Sequence, residues 1–241
     1  MNNHPIEASS LSLIIPAYHA SDFIGSTISR LRNSFGKECE IIVVVNDPDQ
    51  TLAEKIEVIS KKDKKVRLLN FDVRLGKGKA IIEGFKVATG NILGFIDADA
   101  PFALETIKSY IPNLIAGQCD CIIFSKWKGR RFSDIKINIV RKCLSRLFNF
   151  CAIILLRLNY HDTQGGCKLL RKEVMGEIGY DFLCLGFAFD AELLLKIQKH
   201  DLKIKEVAIN CFPTEKSTVN IIRDALPVLL DLIKLRRKFK T

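Results

Sequence analysis

The sequence predicts an α/β fold, in which a mostly parallel sheet is covered by helices on both faces. Short apolar segments rich in β-branched residues alternate with segments of helical periodicity through the first half of the chain. Strands that alternate with helices form βαβ units, which place neighbouring strands parallel. Of the 241 residues, 48% are hydrophobic, which is enough for one sizeable buried core.

Five strands are predicted in this first half, at residues 10–18, 39–47, 65–71, 91–97 and 119–125. Each is a short apolar run, as expected for strands that are buried on both faces. Pro16 is expected to end the first strand, because proline has no N–H to donate to a strand ladder.

Four helices are predicted between these strands, at residues 21–35, 49–63, 76–90 and 101–117. Ser21 is expected to cap the first helix and Gly36 to end it. A glycine-rich turn opens the third helix, and Pro101 is expected in the first turn of the fourth, where a missing N–H is tolerated.

After Ser125 the pattern changes. Residues 132–158 mix apolar and basic side chains at helical spacing, and residues 161–173 contain a Gly-Gly turn followed by a short strand. The remaining predictions are a helix at 186–201, a strand at 202–210 and an amphipathic helix at 217–240, kinked near Pro227. The predicted organisation is a flexible N-terminus at 1–9, a domain at 10–215 with a basic amphipathic insertion at about 126–160, and a basic C-terminal helix at 216–241.

Composition argues against secretion and against membrane spanning. The first residues lack the basic-then-apolar order of a signal peptide, and no uninterrupted apolar stretch reaches about 18 residues. Any membrane attachment is therefore expected to be peripheral, on the cytoplasmic face. Most of the eight cysteines lie in apolar runs, and no second pair or nearby histidine completes a zinc pattern around Cys119 and Cys121, so buried free thiols are expected.

The net charge of +10 is unevenly distributed. A basic segment contains Lys126, Lys128, Arg130, Arg131, Lys136, Arg141, Lys142 and Arg146, with only Asp134 opposing them. The C-terminal sequence KLRRKFK is a second cluster. Such clusters attract phosphorylated ligands, anionic membranes or nucleic acid, and the clustering argues against an ordinary solvated surface.

Asp97 and Asp99 follow the fourth predicted strand in the sequence GFIDADAPF. Ligands of open α/β sheets bind outside the carboxyl ends of the strands, and residues two apart in extended chain face the same side. Two carboxylates placed in this way suit Mg²⁺ or Mn²⁺, which would bind a diphosphate in turn. A second interpretation is that Asp99 caps the next helix and Asp97 accepts backbone hydrogen bonds. The strand-end position favours the metal.

Two further segments support a ligand site. In RLGKGKA, residues 74–80, glycines allow close backbone approach, and Lys77 and Lys79 add positive charge before a helix N-terminus. A solvated glycine-rich turn would look the same. In HDTQGGCKLLRKE, Asp162 and Gln164 precede the Gly-Gly turn, where an ordinary turn-forming aspartate is an equally good interpretation.

Taken in order, the segments LIIPAY, EIIVVVND, LGKGKAIIEGF, GFIDADAPF, DTQGGCKLLRKE and FAFDAELLLKIQKHD resemble the landmarks of family 2 glycosyltransferases with the GT-A fold. The resemblance covers most of residues 11–215 and is nearest to the branch that glycosylates dolichyl or other polyprenyl phosphates, such as the dolichyl-phosphate β-glucosyltransferases. It implies a Rossmann-like nucleotide-binding fold, a nucleotide-sugar donor of the UDP-glucose or GDP-mannose type, a polyprenyl-phosphate acceptor and inversion at the anomeric carbon.

The resemblance also assigns residues. Those matching the donor-binding positions are Pro16, Ala17, Tyr18, Asp47, Lys77 and Asp97, and the metal ligands are Asp99 and Asp97. Those matching acceptor-binding positions are Arg130, Arg131, Arg141, Arg146 and Gln164, with Asp162 beside the acceptor and Asp190 on the FDAELL helix. The catalytic set implied is Asp97, Asp99, Asp162 and Arg141.

Several positions depart from the family pattern. Asn46 replaces the first acid of the motif after the second strand, and His19 and Ala20 replace an expected Asn-Glu. In the glycine-rich loop, Arg74 stands for an asparagine and Lys79 for a glycine. These changes bear on which nucleotide is bound and on the level of activity.

The expected reaction is attack of an acceptor phosphate oxygen on the anomeric carbon. A phosphate monoester with a second pKa of about 6 is already largely ionised at pH 7 and needs no strong base. A hydroxyl acceptor would instead require Asp162 or Asp190 as the base.

Two further functions share features with this sequence. A sugar nucleotidyltransferase would have the same architecture and an acidic metal site. A basic nucleic-acid-binding protein would account for the positive charge, but the basic segment has few aromatic residues for base stacking, so no nucleic-acid partner is expected.

The expected lipid link rests on residues 135–158. This segment could lie in a membrane interface with its basic side chains towards anionic headgroups. An ordinary pair of core helices with basic ends would show the same pattern.

Overall fold

The computed structural model describes residues 11–46, 50–135, 139–212 and 221–239, apart from the side chains of Arg141 and residues 221–225. The strands are β1 (Leu11–Ala17), β2 (Glu40–Val45), β3 (Val66–Asn70), β4 (Ile92–Ile96), β5 (Cys121–Ser125), β6 (Cys167–Arg171) and β7 (Ile204–Ala208). The helices are α1 (Ile24–Phe35), α2 (Gln50–Lys62), α3 (Lys77–Val87), α4 (Leu104–Ile115), α5 (Ile139–Leu156), α6 (Lys172–Ile178), α7 (Phe189–Lys199) and α8 (Ile221–Phe239).

The seven strands form one sheet in the order β3-β2-β1-β4-β6-β5-β7. Strand β6 is antiparallel to both of its neighbours, β4 and β5, whereas the other pairs are parallel. The sheet is therefore mostly parallel with one reversed strand, and the α/β prediction is confirmed. From β1, the chain adds β2 and β3 on one side of the sheet and β4 on the other side. Open α/β sheets bind their ligands at such a topological switch point.

Helices cover both faces of the sheet. On one face, apolar side chains of α1, α2 and α4 pack on alternate residues of the strands, such as Leu13 and Ile15 of β1. On the other face, α3, α5, α6, α7 and α8 pack on the intervening residues, such as Ile14 and Phe95. This two-sided burial explains why the strand segments are apolar throughout rather than alternating.

Three local predictions about element ends were wrong. Strand β1 runs through Pro16 to Ala17, because its ladder with β4 has already ended at Ile14 and proline interrupts no bond on that side. Ser21 is not the cap of α1, which begins at Ile24 after a turn closed on the carbonyl of Ala20. Pro101 is not in the first turn of α4, since its carbonyl accepts the amide of Phe212 and the helix begins later.

Two other local predictions are confirmed. Gly36 ends α1 with a φ of 84°, a left-handed conformation that favours glycine. All eight cysteines are free thiols, five of them buried.

Within the described ranges, no helix has both the length and the apolar character needed to cross a membrane.

A buried carboxylate on β2 connects the edge strand β3 to β1 and to the segment before β4. Glu40, 6% exposed, accepts hydrogen bonds from Ser12 Oγ at 2.5 Å and from the Thr89 amide at 2.9 Å, and it pairs with Arg67 at 2.7 Å. Burial works to raise the pKa of Glu40, but these hydrogen bonds outweigh it and hold the pKa below the ordinary value of 4.5.

We expect Glu40→Gln to lower the free energy of unfolding at pH 7 by about 2 kcal/mol, because hydrogen bonds to a charged group are lost. The charged form stabilises the fold above the ordinary glutamate pKa, and this contribution disappears as the pH falls through the folded-state pKa. Denaturant unfolding of both proteins between pH 7 and pH 3 should therefore show the difference narrowing at low pH. Glu54→Gln, on the exposed side of α2, is the control. Equal effects of the two substitutions at pH 7 would contradict this account of Glu40.

Candidate active site

Asp97 and Asp99, which we call the acidic pair, lie in a tight turn at the carboxyl end of β4. The amide of Ala100 donates to the carbonyl of Asp97 at 2.8 Å, and Ala100 has a φ of 37°. The Asp97 side chain is 40% exposed, and Asp99 is also partly exposed. Both carboxylates are thus accessible at the crevice edge of the sheet.

The acidic pair fits a hard divalent cation that shares its coordination with a ligand. Among the described residues, no group of three or more His, Cys, Asp and Glu side chains is placed to hold a metal ion. Mg²⁺ is commonly bound by one or two carboxylates together with phosphate oxygens and water, so two carboxylates are sufficient. A glycine keeps space beside them, since a Cβ on Gly166 would lie 1.9 Å from Asp97 Oδ2.

Lys77, the first residue of α3, contacts Asp97 of the acidic pair directly. Its Nζ lies 3.1 Å from Asp97 Oδ1 and 3.2 Å from Asp190 Oδ2 on α7. Burial works to lower the pKa of Lys77, but the Asp190 and Asp97 carboxylates outweigh it and raise the pKa above its ordinary value. Lys77 is therefore a fixed positive charge beside Asp97.

Asp190 is 1% exposed and is held by a second lysine, Lys168 of β6, whose Nζ lies 2.5 Å from Asp190 Oδ1. Burial works to raise the pKa of Asp190, yet Lys168 and Lys77 hold it below its ordinary value. Both ammonium groups also lie near the Phe95 ring, at 5.3 Å and 5.5 Å from its centroid. We call Asp97, Lys77, Asp190 and Lys168 the carboxylate–lysine network.

The glycine-rich loop, residues 74–80, packs closely against Leu185 and against Phe189, the first residue of α7. A Cβ on Gly76 would lie 2.8 Å from the Leu185 carbonyl oxygen, and Gly76 has a φ of 86°. A Cβ on Gly78 would lie 2.4 Å from Phe189 Cβ. Glycine is required at both positions for this approach, which sets the start of α3 and hence the position of Lys77.

Residues predicted to bind the donor lie around the ends of β1 and β2. Pro16 and Ala17 pair with the last residues of β2, and Tyr18 is half-buried just beyond them. The Arg74 guanidinium lies 4.8 Å from the centroid of the Tyr18 ring, which connects the glycine-rich loop to this segment. Asp47, the predicted base-reading residue, lies outside the described residues.

The Gly-Gly turn, residues 162–166, lies on the other side of the acidic pair. The Asp97 amide donates to the Gly166 carbonyl at 2.9 Å. Asp162 is 2% exposed, accepts a hydrogen bond from the Lys126 amide at 3.3 Å and pairs with Lys126 Nζ at 3.6 Å. Gln164 Nε2 donates to the Phe187 carbonyl at 3.3 Å.

The predicted acceptor-binding arginines are only partly brought together. Arg146 donates to the His161 carbonyl at 3.3 Å, next to the Gly-Gly turn, and its guanidinium lies 5.2 Å from the centroid of the Trp127 ring. Arg130 is bonded to Asn210 in the segment after β7, and Arg131 is exposed. Arg141 lies on α5, with its side chain outside the described set.

Cys211 shows how close the two sides of the site are. Its backbone pairs with Phe102, just after the acidic pair. Burial raises the pKa of Cys211 to about 11, and the surrounding charges that act on it are those of Lys126, Asp162, Arg130 and Asp99. Charged residues of the acidic pair, the Gly-Gly turn and the basic segment are therefore all close enough to Cys211 to influence its pKa.

Two lysines at the site were not among the predicted site residues. The sequence predicts Lys126 only as part of the basic segment, whereas in the structure it pairs with Asp162. One sequence signal could have identified Lys168, namely its position beside the apolar residues of the strand CKLLR, because a buried ammonium needs a charged partner.

Curated relatives share most of this chain at low identity. The chain is 25% identical over 221 residues to glycosyltransferase AglD of Haloferax volcanii, covering 90% of the chain and 35% of that protein. It is 24% identical to dolichyl-phosphate beta-glucosyltransferase of Saccharomyces cerevisiae, and the match covers 95% of this chain and 75% of that protein. It is 31% identical to dolichol-phosphate mannosyltransferase of Pyrococcus furiosus, and the match covers 77% of this chain and 52% of that protein. The chain thus spans about a third of the first relative and half of the last.

Solved structures of glucosyl-3-phosphoglycerate synthase from Mycobacterium tuberculosis share the fold. The form in complex with UDP superposes with a TM-score of 0.64 at 18% identity, covering 97% of this chain and 86% of that one. Another, in complex with Mn²⁺, UDP and glucosyl-3-phosphoglycerate, has a TM-score of 0.61 at 17% identity, covering 98% and 86%. The predicted GT-A fold is confirmed.

The sequence itself identifies the family. Residues 12–179 match the profile of Glycosyl transferase family 2, a range that begins in β1 and ends just after α6. This range contains the glycine-rich loop, the acidic pair and the Gly-Gly turn, which the structure brings together at one edge of the sheet. The chain belongs to glycosyl transferase family 2.

Proposed function

We propose that the chain is an inverting, metal-dependent glycosyltransferase that moves a hexose from a nucleotide sugar, of the UDP-glucose or GDP-mannose type, to a polyprenyl phosphate. The observation that carries the proposal is the position of Asp97, whose carboxylate contacts Lys77 of the glycine-rich loop and whose amide bonds to Gly166 of the Gly-Gly turn. A donor diphosphate and an acceptor can therefore meet at one carboxylate. The names of two relatives, a dolichyl-phosphate beta-glucosyltransferase and a dolichol-phosphate mannosyltransferase, support a hexose as the transferred group and a polyprenyl phosphate as the acceptor.

In this proposal, Asp97 and Asp99 are the residues that would hold Mg²⁺ or Mn²⁺, and the bound ion would supply positive charge to the leaving diphosphate. Lys77 adds a fixed positive charge on the donor side, because the two neighbouring carboxylates keep it protonated. Tyr18 and the end of β1 line the nucleotide side. Alignment of donor and acceptor supplies much of the remaining rate enhancement.

The pairing of the candidate bases favours a phosphate acceptor over a hydroxyl acceptor. Asp162 is buried and paired with Lys126, and Asp190 is buried between Lys77 and Lys168. A carboxylate that is neutralised by a lysine and shielded from water is a poor general base. An ionised phosphate monoester does not need one, and the Arg130 and Arg146 guanidinium groups can bind it without removing its charge.

A membrane surface is the place where such an acceptor is found, and α5 offers a face that fits it. Ile139, Leu147, Phe150 and Ile154, which we call the apolar stripe, are each more than half exposed and recur at helical spacing. Helix α8 packs against α5 and exposes Leu226, Leu229 and Leu230. Exposed basic residues accompany both helices, as in interfacial helices that bind anionic lipid.

The apolar stripe also leads to the candidate site. Leu147 directly follows Arg146, whose guanidinium bonds to the carbonyl of His161 beside Asp162. A polyprenyl chain that lies along the stripe would therefore present its phosphate to the basic residues near the Gly-Gly turn.

The reaction is tested by incubating the chain with single nucleotide sugars, Mg²⁺ or Mn²⁺ and a short polyprenyl phosphate. We expect a lipid-linked sugar and a nucleoside diphosphate in equal amounts. Pyrophosphate as the product would show a nucleotidyltransferase instead, and transfer only to free sugar hydroxyls would contradict the phosphate acceptor.

Asp99→Asn should reduce kcat roughly 100-fold or more, because a lost metal ligand removes several kcal/mol of charge stabilisation in the transition state. The matched control is Glu177→Gln, an exposed acid on α6, which should leave kcat unchanged. Initial rates of sugar transfer measure both. A wild-type rate for Asp99→Asn would contradict a metal role for the acidic pair.

Leu147→Glu and Phe150→Glu should each weaken binding to vesicles that contain anionic lipid, by roughly tenfold or more, since burial of one large apolar side chain is worth about 1.5–3 kcal/mol. Val58→Glu, on the equally exposed apolar position of α2, is the control and should bind as the wild type does. Vesicle flotation measures the bound fraction. If the wild type and the Leu147→Glu, Phe150→Glu and Val58→Glu variants all bind the vesicles equally, the apolar stripe is not a membrane contact.

A further inference from the structure

Lys168 is a fully buried lysine whose presence is not explained by stability. It is 0% exposed and is the second residue of β6, CKLLR, which lies inside the sheet between β4 and β5. Taking an ammonium and a carboxylate out of water is costly, and apolar residues of similar volume often stabilise a core better than a buried ion pair does. The contacts of Lys168 suggest a role in the candidate active site rather than in stability.

One contact links Lys168 to the donor side. The two oxygens of Asp190 face different lysines, with Oδ1 at 2.5 Å from Lys168 and Oδ2 at 3.2 Å from Lys77. The orientation of the Asp190 carboxylate therefore depends on Lys168. Lys77, held by that carboxylate, lies 3.1 Å from Asp97 Oδ1. Lys168 thus determines the position of Lys77 through one intermediate residue.

A second contact links Lys168 to the acceptor side. Its Nζ donates to the Gly165 carbonyl at 3.0 Å, within the Gly-Gly turn. The next residue, Gly166, accepts the amide of Asp97. Gly165 also packs so tightly that a Cβ there would lie 2.3 Å from the Phe124 carbonyl oxygen. Asp97 has two neighbours, Lys77 and the Gly-Gly turn. The Lys168 ammonium is therefore connected to both of them, to Lys77 through Asp190 and to the turn directly.

We propose that Lys168 is a positioning residue for sugar transfer, which keeps Lys77 and the Gly-Gly turn in register around Asp97 without touching donor or acceptor. This inference rests on the proposed function. When Lys168 is removed, Lys77 remains charged in the site, so attraction of the donor diphosphate persists. The alignment needed in the transition state is lost, and misplacement by about 1 Å can lower a rate about 100-fold. The loss should appear in kcat more than in KM for the donor.

The test compares Lys168→Met with Lys196→Met. Lys196 of α7 is a matched buried lysine, 8% exposed, whose Nζ donates to the Asp181 carbonyl at 2.7 Å and lies 4.2 Å from the centroid of the Phe182 ring. We expect Lys168→Met to lower kcat roughly 10- to 100-fold with KM for the nucleotide sugar within about threefold of the wild type. Lys196→Met should keep the wild-type kcat.

A double variant separates positioning from folding. Lys168→Met leaves Asp190 with one cation, whereas Lys168→Met with Asp190→Asn removes both buried charges. We expect the urea midpoint of unfolding of the double variant to return towards the wild-type value while kcat stays low. Recovery of kcat together with stability, an unchanged kcat in Lys168→Met, or an equal loss in Lys196→Met would each overturn the inference. Absence of transfer by the wild type would overturn the proposed function and this inference with it.

Discussion

The contact between Lys77 and Asp97 is the interaction on which the rest of the site depends. Asp97 directly follows the central strand β4, and Lys77 begins a helix that the close packing of Gly76 and Gly78 fixes in place. The ion pair between these two side chains holds the start of α3 against the carboxyl end of β4. The order of the strands places this contact beside the point where open α/β sheets bind their ligands.

The carboxylate–lysine network has equal numbers of acids and lysines, which makes its burial tolerable. Asp190 and Lys168 are almost completely enclosed, whereas Asp97 is partly exposed and Lys77 lies between them. The charges therefore run from the protein interior to the solvent-accessible edge. A ligand bound at that edge would meet side chains whose directions are already set by buried partners, which reduces the reorganisation needed during reaction.

The sequence predicted the sheet and the acidic pair because both are local signals. Strands buried on two faces are apolar throughout, and Asp97 and Asp99 follow directly after such a run. The position of β6 between β4 and β5 was not predictable in this way, because periodicity does not specify which strands pair. The Lys168–Asp190 pair joins residues 22 apart in the sequence, and the contact of Pro101 with Phe212 overrode a local helix preference.

The most direct test of the central claim is calorimetric titration of the chain with UDP and with GDP, in the presence of Mn²⁺ and in the presence of a chelator. If the acidic pair holds a divalent ion that binds the donor diphosphate, one nucleotide should bind at least about tenfold more tightly with Mn²⁺, and this dependence should disappear in the Asp97→Asn, Asp99→Asn double variant. Equal affinity with Mn²⁺ and with chelator in the wild type would contradict the claim.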